Sequence, residues 1–139
     1  MDEHEPVEDS EFVYRRIPGT FYDAGLPVPV QREAFRPNSN DTNGLSVFRA
    51  CFAHPIDTLF NLDPTRAKNY YVAQISVRSL RDLGLSVTPD PLPGGPVGHG
   101  VLLELNWAAY RAQKEIWKAI LLELAKLASS DIVHRPNSA

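Results

Sequence analysis

The chain is predicted to fold as a mixed α+β domain, a single twisted, mostly antiparallel sheet of about five strands with a long C-terminal helix packed on one face. Two observations predict it. Short runs of β-branched and aromatic residues recur between proline- and glycine-rich stretches. One long stretch near the C-terminus carries a helical repeat of apolar residues with neither glycine nor proline. An α/β layering with one parallel pair is the competing arrangement.

Composition sets the class. With 139 residues, 43% of them hydrophobic and 22% charged, the chain suits one domain with a core of its own. No run of about 18 apolar residues exists to cross a membrane. The opening "MDEHEPVEDSEF" is acidic and lacks the apolar run of a secretory signal, so the cytoplasm is expected. A net charge of −3 gives no support for general nucleic-acid binding. The single cysteine, Cys51, excludes an internal disulfide and a four-thiolate metal site.

Residues 1–11 read as an acidic mobile tail, because the run repels itself and has little apolar surface to bury. Residues 12–130 form the globular domain and residues 131–139 a polar C-terminal tail. "FVYRRI" (12–17) is a strand ended by Pro18-Gly19. Alternation puts Arg15 on the same face as Val13 and Ile17, and Arg16 beside Phe12 and Tyr14. Residues 18–44 form a long irregular region. Prolines remove backbone donors there, and "RPNSNDTNG" is turn-forming throughout. Irregular connections of that length are usually functional or disordered.

"LSVFRACF" (45–52) is the next strand, with Ser46 and Phe48 on one face and Val47, Arg49 and Cys51 on the other. "HPIDTLF" is a short helix with Pro55 in its first turn. "YYVAQISV" (70–77) is the clearest strand in the chain. "SLRDLGL" is a turn of helix closed by Gly84. "SVTPDP" is extended, and "VLLEL" (101–105) is a strand covered on both faces. Asn106 caps the final helix over residues 107–128. Its stripe of Tyr110, Trp117, Ile120, Leu121, Leu124 and Ala128 faces the sheet, widened by Ile116 and Leu127.

"PLPGGPVGHG" (91–100) is no phosphate cradle, since a strand follows its glycines where a helix N-terminus is needed. It reads as a bend between strands. His99, between Gly98 and Gly100, has open space around it for a ligand or a second backbone. Cys51, His54 and His99 supply the residue types of a thiol nucleophile and base, but Cys51 reads as a buried strand residue. The histidines lack metal-ligand spacing, so no metal site is expected. Asp57, Asp63, Asp82, Asp90 and Glu104 show no spaced carboxylate pair.

One arrangement of parts remains. An arginine (Arg15 or Arg16) on the first strand precedes a long polar loop. Then come "GLSVF" with Ser46, the helix "HPIDTLF" and a strong strand. In this order of parts, residues 13 to about 105 resemble the RES-type and other ADP-ribosyltransferase-like domains, which cleave NAD. The resemblance implies that the first-strand arginine helps hold the dinucleotide and that a polar or aromatic residue on a later strand contributes. It departs from those domains in the short helix, where Asp57 is the only acidic residue.

Two function classes are therefore open. The first expectation is a non-catalytic interaction domain with no cofactor. It would bind a protein partner or a second copy through its last helix, with Trp107, Ile116 and Leu127 as contact candidates. The second is an NAD- or nucleotide-handling enzyme using Arg15 or Arg16, Ser46 and His99. Convergence of those side chains on one cleft discriminates between the two. His99 and His54 are expected on one edge of the sheet under the 18–44 loop. Trp117 is expected to be largely buried, so that Trp117→Ala would cost about 3–5 kcal/mol in a urea titration.

Overall fold

The computed structural model describes residues 2–136. It has six strands among those residues: β1 (Phe12–Pro18), β2 (Leu45–Arg49), β3 (Tyr70–Ser76), β4 (Val87–Pro89), β5 (His99–Leu102) and β6 (Ile132–His134). They form one open sheet in the order β4-β5-β2-β1-β3-β6, and each neighbouring pair is antiparallel. Four α-helical segments, α1 (Pro64–Ala67), α2 (Val77–Asp82), α3 (Trp107–Ala112) and α4 (Lys114–Ser129), complete it with short 3-10 turns. The α+β class with an antiparallel sheet and a long C-terminal helix is what the sequence predicts.

The core lies between one sheet face and α4. Val13 and Ile17 of β1, Leu45 and Val47 of β2, and Ala73 and Ile75 of β3 point into it. They meet Leu121, Leu124, Ala125 and Ala128, which recur at helical spacing along α4. The 3-10 turn Arg32–Phe35 adds Ala34 and Phe35, so part of the 18–44 region packs down onto α4. The 3-10 turn Pro55–Leu59 lies on the opposite face, against β1 and β3. Sheet and helix hold because each supplies one apolar face for the other to cover.

Several elements differ from the sequence reading. The expected single helix over 107–128 is two helices. Its backbone leaves helical angles at Gln113 (φ −142°, ψ 54°), where no glycine or proline marks the break. Trp117 and Ile120 are half-buried at the margin of the core, and Leu121 and Leu124 take the deep positions. Trp117→Ala should therefore cost less than a fully buried aromatic would. The last strand begins earlier than "VLLEL", at His99, and ends at Leu102. Residues 132–134, expected in a polar tail, instead pair with β3 as β6. Residues 137–139 of that expected tail lie outside the described residues.

The N-terminal segment also departs from expectation. Residues 2–11, read as a mobile tail, lie over the end of β2, where the fully buried Arg49 gathers them. Arg49 Nε and Nη2 donate to the two carboxylate oxygens of Glu11, each at 2.8 Å. Its Nη1 donates to the Glu5 carbonyl at 2.8 Å and the Glu3 carbonyl at 3.2 Å. Arg81 adds bonds to Asp9 and to the Val7 carbonyl, and Val7 itself is buried. The acidic run is thus the counter-charge of a buried arginine, which offsets its self-repulsion.

Burial alone would raise the Glu11 carboxyl, but the bonds from Arg49 and the Glu8 amide hold it below its ordinary value. A carboxylate held down in this way stabilises the fold above its unfolded value, and that stability is lost as pH falls through the folded value. Removing one member of a buried ion pair leaves the other uncompensated. Glu11→Gln should therefore cost about 3 kcal/mol at neutral pH, read by urea titration. The gap between variant and parent should close as pH falls below the ordinary glutamate range.

Candidate functional site

The site begins where the sheet opens. β1 pairs with β3 along its whole length, from Phe12↔Ser76 to Pro18↔Tyr70. With β2 it pairs only at Val13↔Arg49 and Tyr14↔Phe48. Had the register continued, Arg16 would stand opposite Ser46. The strands part instead, and the Arg15 guanidinium fills the gap. Its Nη1 donates to the Ser46 carbonyl at 2.9 Å and its Nη2 to the Ala34 carbonyl at 3.0 Å. A backbone acceptor that lost its strand partner is thereby satisfied by a side chain.

Arg15 Nε is buried and has no hydrogen-bond partner among the described residues. Burial pushes the guanidinium down to about 10, with Asp41 opposing and the Arg16 charge adding to the depression. It remains a cation at neutral pH. Arg16 is held differently. Its Nη1 reaches Asn61 Oδ1 at 2.5 Å and the Thr58 carbonyl at 3.3 Å, which ties β1 to the Pro55–Leu59 turn. Burial lowers Arg16 as well, against the pull of Tyr70.

β5 supplies the far wall. It runs antiparallel to β2 with Phe48 opposite His99, so the imidazole and the Phe48 ring share a face. The two rings meet edge-on at 5.2 Å. His99 Nδ1 lies 2.7 Å from the Asp90 carbonyl and 3.5 Å from its carboxylate, and Nε2 lies 3.1 Å from Ser46 Oγ. The proline- and glycine-rich bend delivers this geometry. Gly98 has φ +97°, and an added Cβ would meet the Phe52 side chain at 2.7 Å. Its carbonyl accepts from the Arg49 amide at 2.9 Å, which seats the start of β5. The room that the two glycines leave is thus taken by the Phe52 side chain beside Gly98 and the Thr88 carbonyl beside Gly100.

Between these walls lies a cleft of about 310 Å³. Arg15, Arg16, Ser46 and His99 all line it, with Tyr14, Phe48 and Phe60 as aromatic surface. The 18–44 loop contributes Asn38 and Asp41, and Asp41 is the sole carboxylate among the lining residues. Sequence reasoning missed Asn38, Asp41, Asn61 and Leu92, which lie in turns or loops with no local repeat, and Thr58, on the 3-10 turn Pro55–Leu59. His54 is exposed at the cap of the Pro55–Leu59 turn and does not border the cleft.

The other candidates lie elsewhere. Cys51 is exposed and bonded to Glu11 at 3.3 Å, and burial followed by that carboxylate pushes its thiol up. It is no partner of His99. Among the described residues, no three histidine, cysteine, aspartate or glutamate side chains come together as a metal site. On the last helices, Trp107 and Leu127 pack against the core, while Ile116 is 61% exposed. No helix among the described residues is long and apolar enough to cross a membrane.

No family model matches the chain, and no curated protein or solved structure matches it. The geometry alone defines the site. It is an open-sheet cleft with a cationic floor, aromatic sides and a serine–histidine pair on one wall.

The two Arg15 bonds can be tested separately from any ligand. Arg15→Lys keeps the charge, but an ammonium lacks the planar fork that spans two carbonyls. It should cost about 1–2 kcal/mol in urea, the cost of a buried acceptor left unmet, with the sheet otherwise unchanged in circular dichroism.

Proposed function

We propose that the cleft binds a phosphate-bearing nucleotide of the NAD class and that the protein is a nucleotide-handling enzyme. The observation that carries this reading is the meeting of Arg15, Arg16, Ser46 and His99 in one cleft from three separate strands. Two buried-side arginines against one aspartate leave a positive floor suited to a diphosphate. A cavity of about 310 Å³ takes one end of a dinucleotide, the rest lying across the open mouth. Phe48 and Phe60, edge-on at 6.1 Å, and Tyr14 offer flat apolar surface to a base or a nicotinamide ring. The positions implied by the ADP-ribosyltransferase-like resemblance, a first-strand arginine and a polar residue on a later strand, are among those that meet.

The competing reading is an interaction domain that docks a partner on its last helix. It has less support, because Trp107 and Leu127 are committed to the core and Ile116 is the exposed member of the three.

Calorimetric titration with NAD and ADP-ribose tests the proposal, together with an assay for nicotinamide release. Both ligands should bind. Arg16→Ala should weaken binding about 10- to 150-fold, the worth of one charged hydrogen bond. Affinity should also fall with added salt. No heat at millimolar NAD, or an affinity in Arg16→Ala equal to that of the parent protein, would sink the reading.

A further inference from the structure

We infer that Ser46 is a nucleophile, with His99 as its general base and Asp90 as the group that positions the imidazole. The hydrogen bonds fix the protons. A carbonyl can only accept, so the 2.7 Å contact to the Asp90 carbonyl puts the proton of neutral His99 on Nδ1. Nε2 is then a bare acceptor, and the Ser46 hydroxyl 3.1 Å away donates to it. A serine whose proton points at an imidazole, itself held from behind, is the arrangement that activates a hydroxyl.

The pair is built, not incidental. His99 is 7% exposed and wedged against Phe48, so its ring has one orientation. The Asp90 carboxylate, 3.5 Å from Nδ1, supplies negative charge where the imidazole would become positive. Both Ser46 and His99 border the cleft, so a bound molecule can reach the hydroxyl. The Arg15 bond to the Ser46 carbonyl holds the backbone under the nucleophile.

The two arginines define the electrophile as one carried by an anionic molecule. On the nucleotide reading, which this choice of electrophile rests on, it is the sugar carbon bonded to nicotinamide. Ser46 Oγ forms a bond to that carbon as the carbon–nitrogen bond breaks. Nicotinamide leaves with the electron pair, and the serine proton passes to His99 Nε2. Water then bonds to the same carbon, the Oγ–carbon bond breaks, and the proton on Nε2 returns to Oγ while the water's proton goes to solvent. No oxidant or reductant is needed.

A fluorophosphonate probe tests the nucleophile without any nucleotide. Oγ bonds phosphorus, the phosphorus–fluorine bond breaks, and fluoride leaves. Mass spectrometry should find one adduct, on the peptide carrying Ser46, and Ser46→Ala should abolish it. His99→Gln should slow labelling about 100-fold or more, as loss of a general base does. Asp90→Asn, which keeps the carbonyl, should slow it less. Labelling of the exposed Ser39 as fast as Ser46, or an undiminished rate in folded His99→Gln, overturns the inference. Should His99→Gln fail to fold, the distribution of label on the parent protein decides. NAD should protect Ser46 from the probe. Selective, His99-dependent labelling that NAD does not slow supports the nucleophile and counts against the nucleotide reading alone.

Discussion

Arg15 stands where a strand ladder would otherwise run. In a continuous antiparallel sheet, the Ser46 carbonyl and the Arg16 amide would satisfy each other. Parting the strands costs those bonds. The guanidinium restores an acceptor's partner on the β2 side at 2.9 Å and reaches across to the Ala34 carbonyl of the packed loop. One side chain therefore holds open the gap, anchors part of the 18–44 region and puts a cation at the base of the cleft. The full pairing of β1 with β3 keeps β1 in place while its other edge is released.

The buried Arg49 and the half-buried Arg15 make a useful contrast. Arg49 spends its donors on the Glu11 carboxylate and on backbone carbonyls of the N-terminal segment, and its charge is met within the chain. Arg15 is bonded to two neutral carbonyls, its Nε has no hydrogen-bond partner among the described residues, and the charge of Asp41 opposes the effect of its burial. Burial raises the first group's dependence on structure and the second's appetite for an anion. The same residue type thus serves as a clasp at one end of β2 and lines an open cleft at the other.

The sheet and helix were legible because their signals are local. Period-two runs and one helical stripe mark which faces can be buried. The expectation that put His99 on the same edge as the end of the 45–52 strand required the two strands to run antiparallel, and β2 and β5 do so, with Phe48 opposite His99. The docking of residues 2–11 was not legible. It depends on Arg49, 38 residues beyond Glu11, and on one isolated valine in an acidic run. β6 was hidden for a similar reason, since three residues after a helix carry almost no period and find their partner only in β3. Of the cleft, Arg15, Arg16 and Ser46 stood out as polar residues at strand positions, and His99 as a histidine between two glycines in a bend. Asn38, Asp41 and Asn61 did not, because turn-forming residues are expected in loops whether or not they face a ligand.

The two ends of the sheet also bear on how the molecule meets others of its kind. An exposed edge strand is a template for adding a foreign strand, and long flat edges invite aggregation. Here each border strand is three residues long, and β4 ends in Pro89, which has no amide to donate. Neither border offers a run of unpaired backbone long enough to seed a continuous intermolecular sheet. Growth by strand addition is therefore discouraged by the fold's own outline.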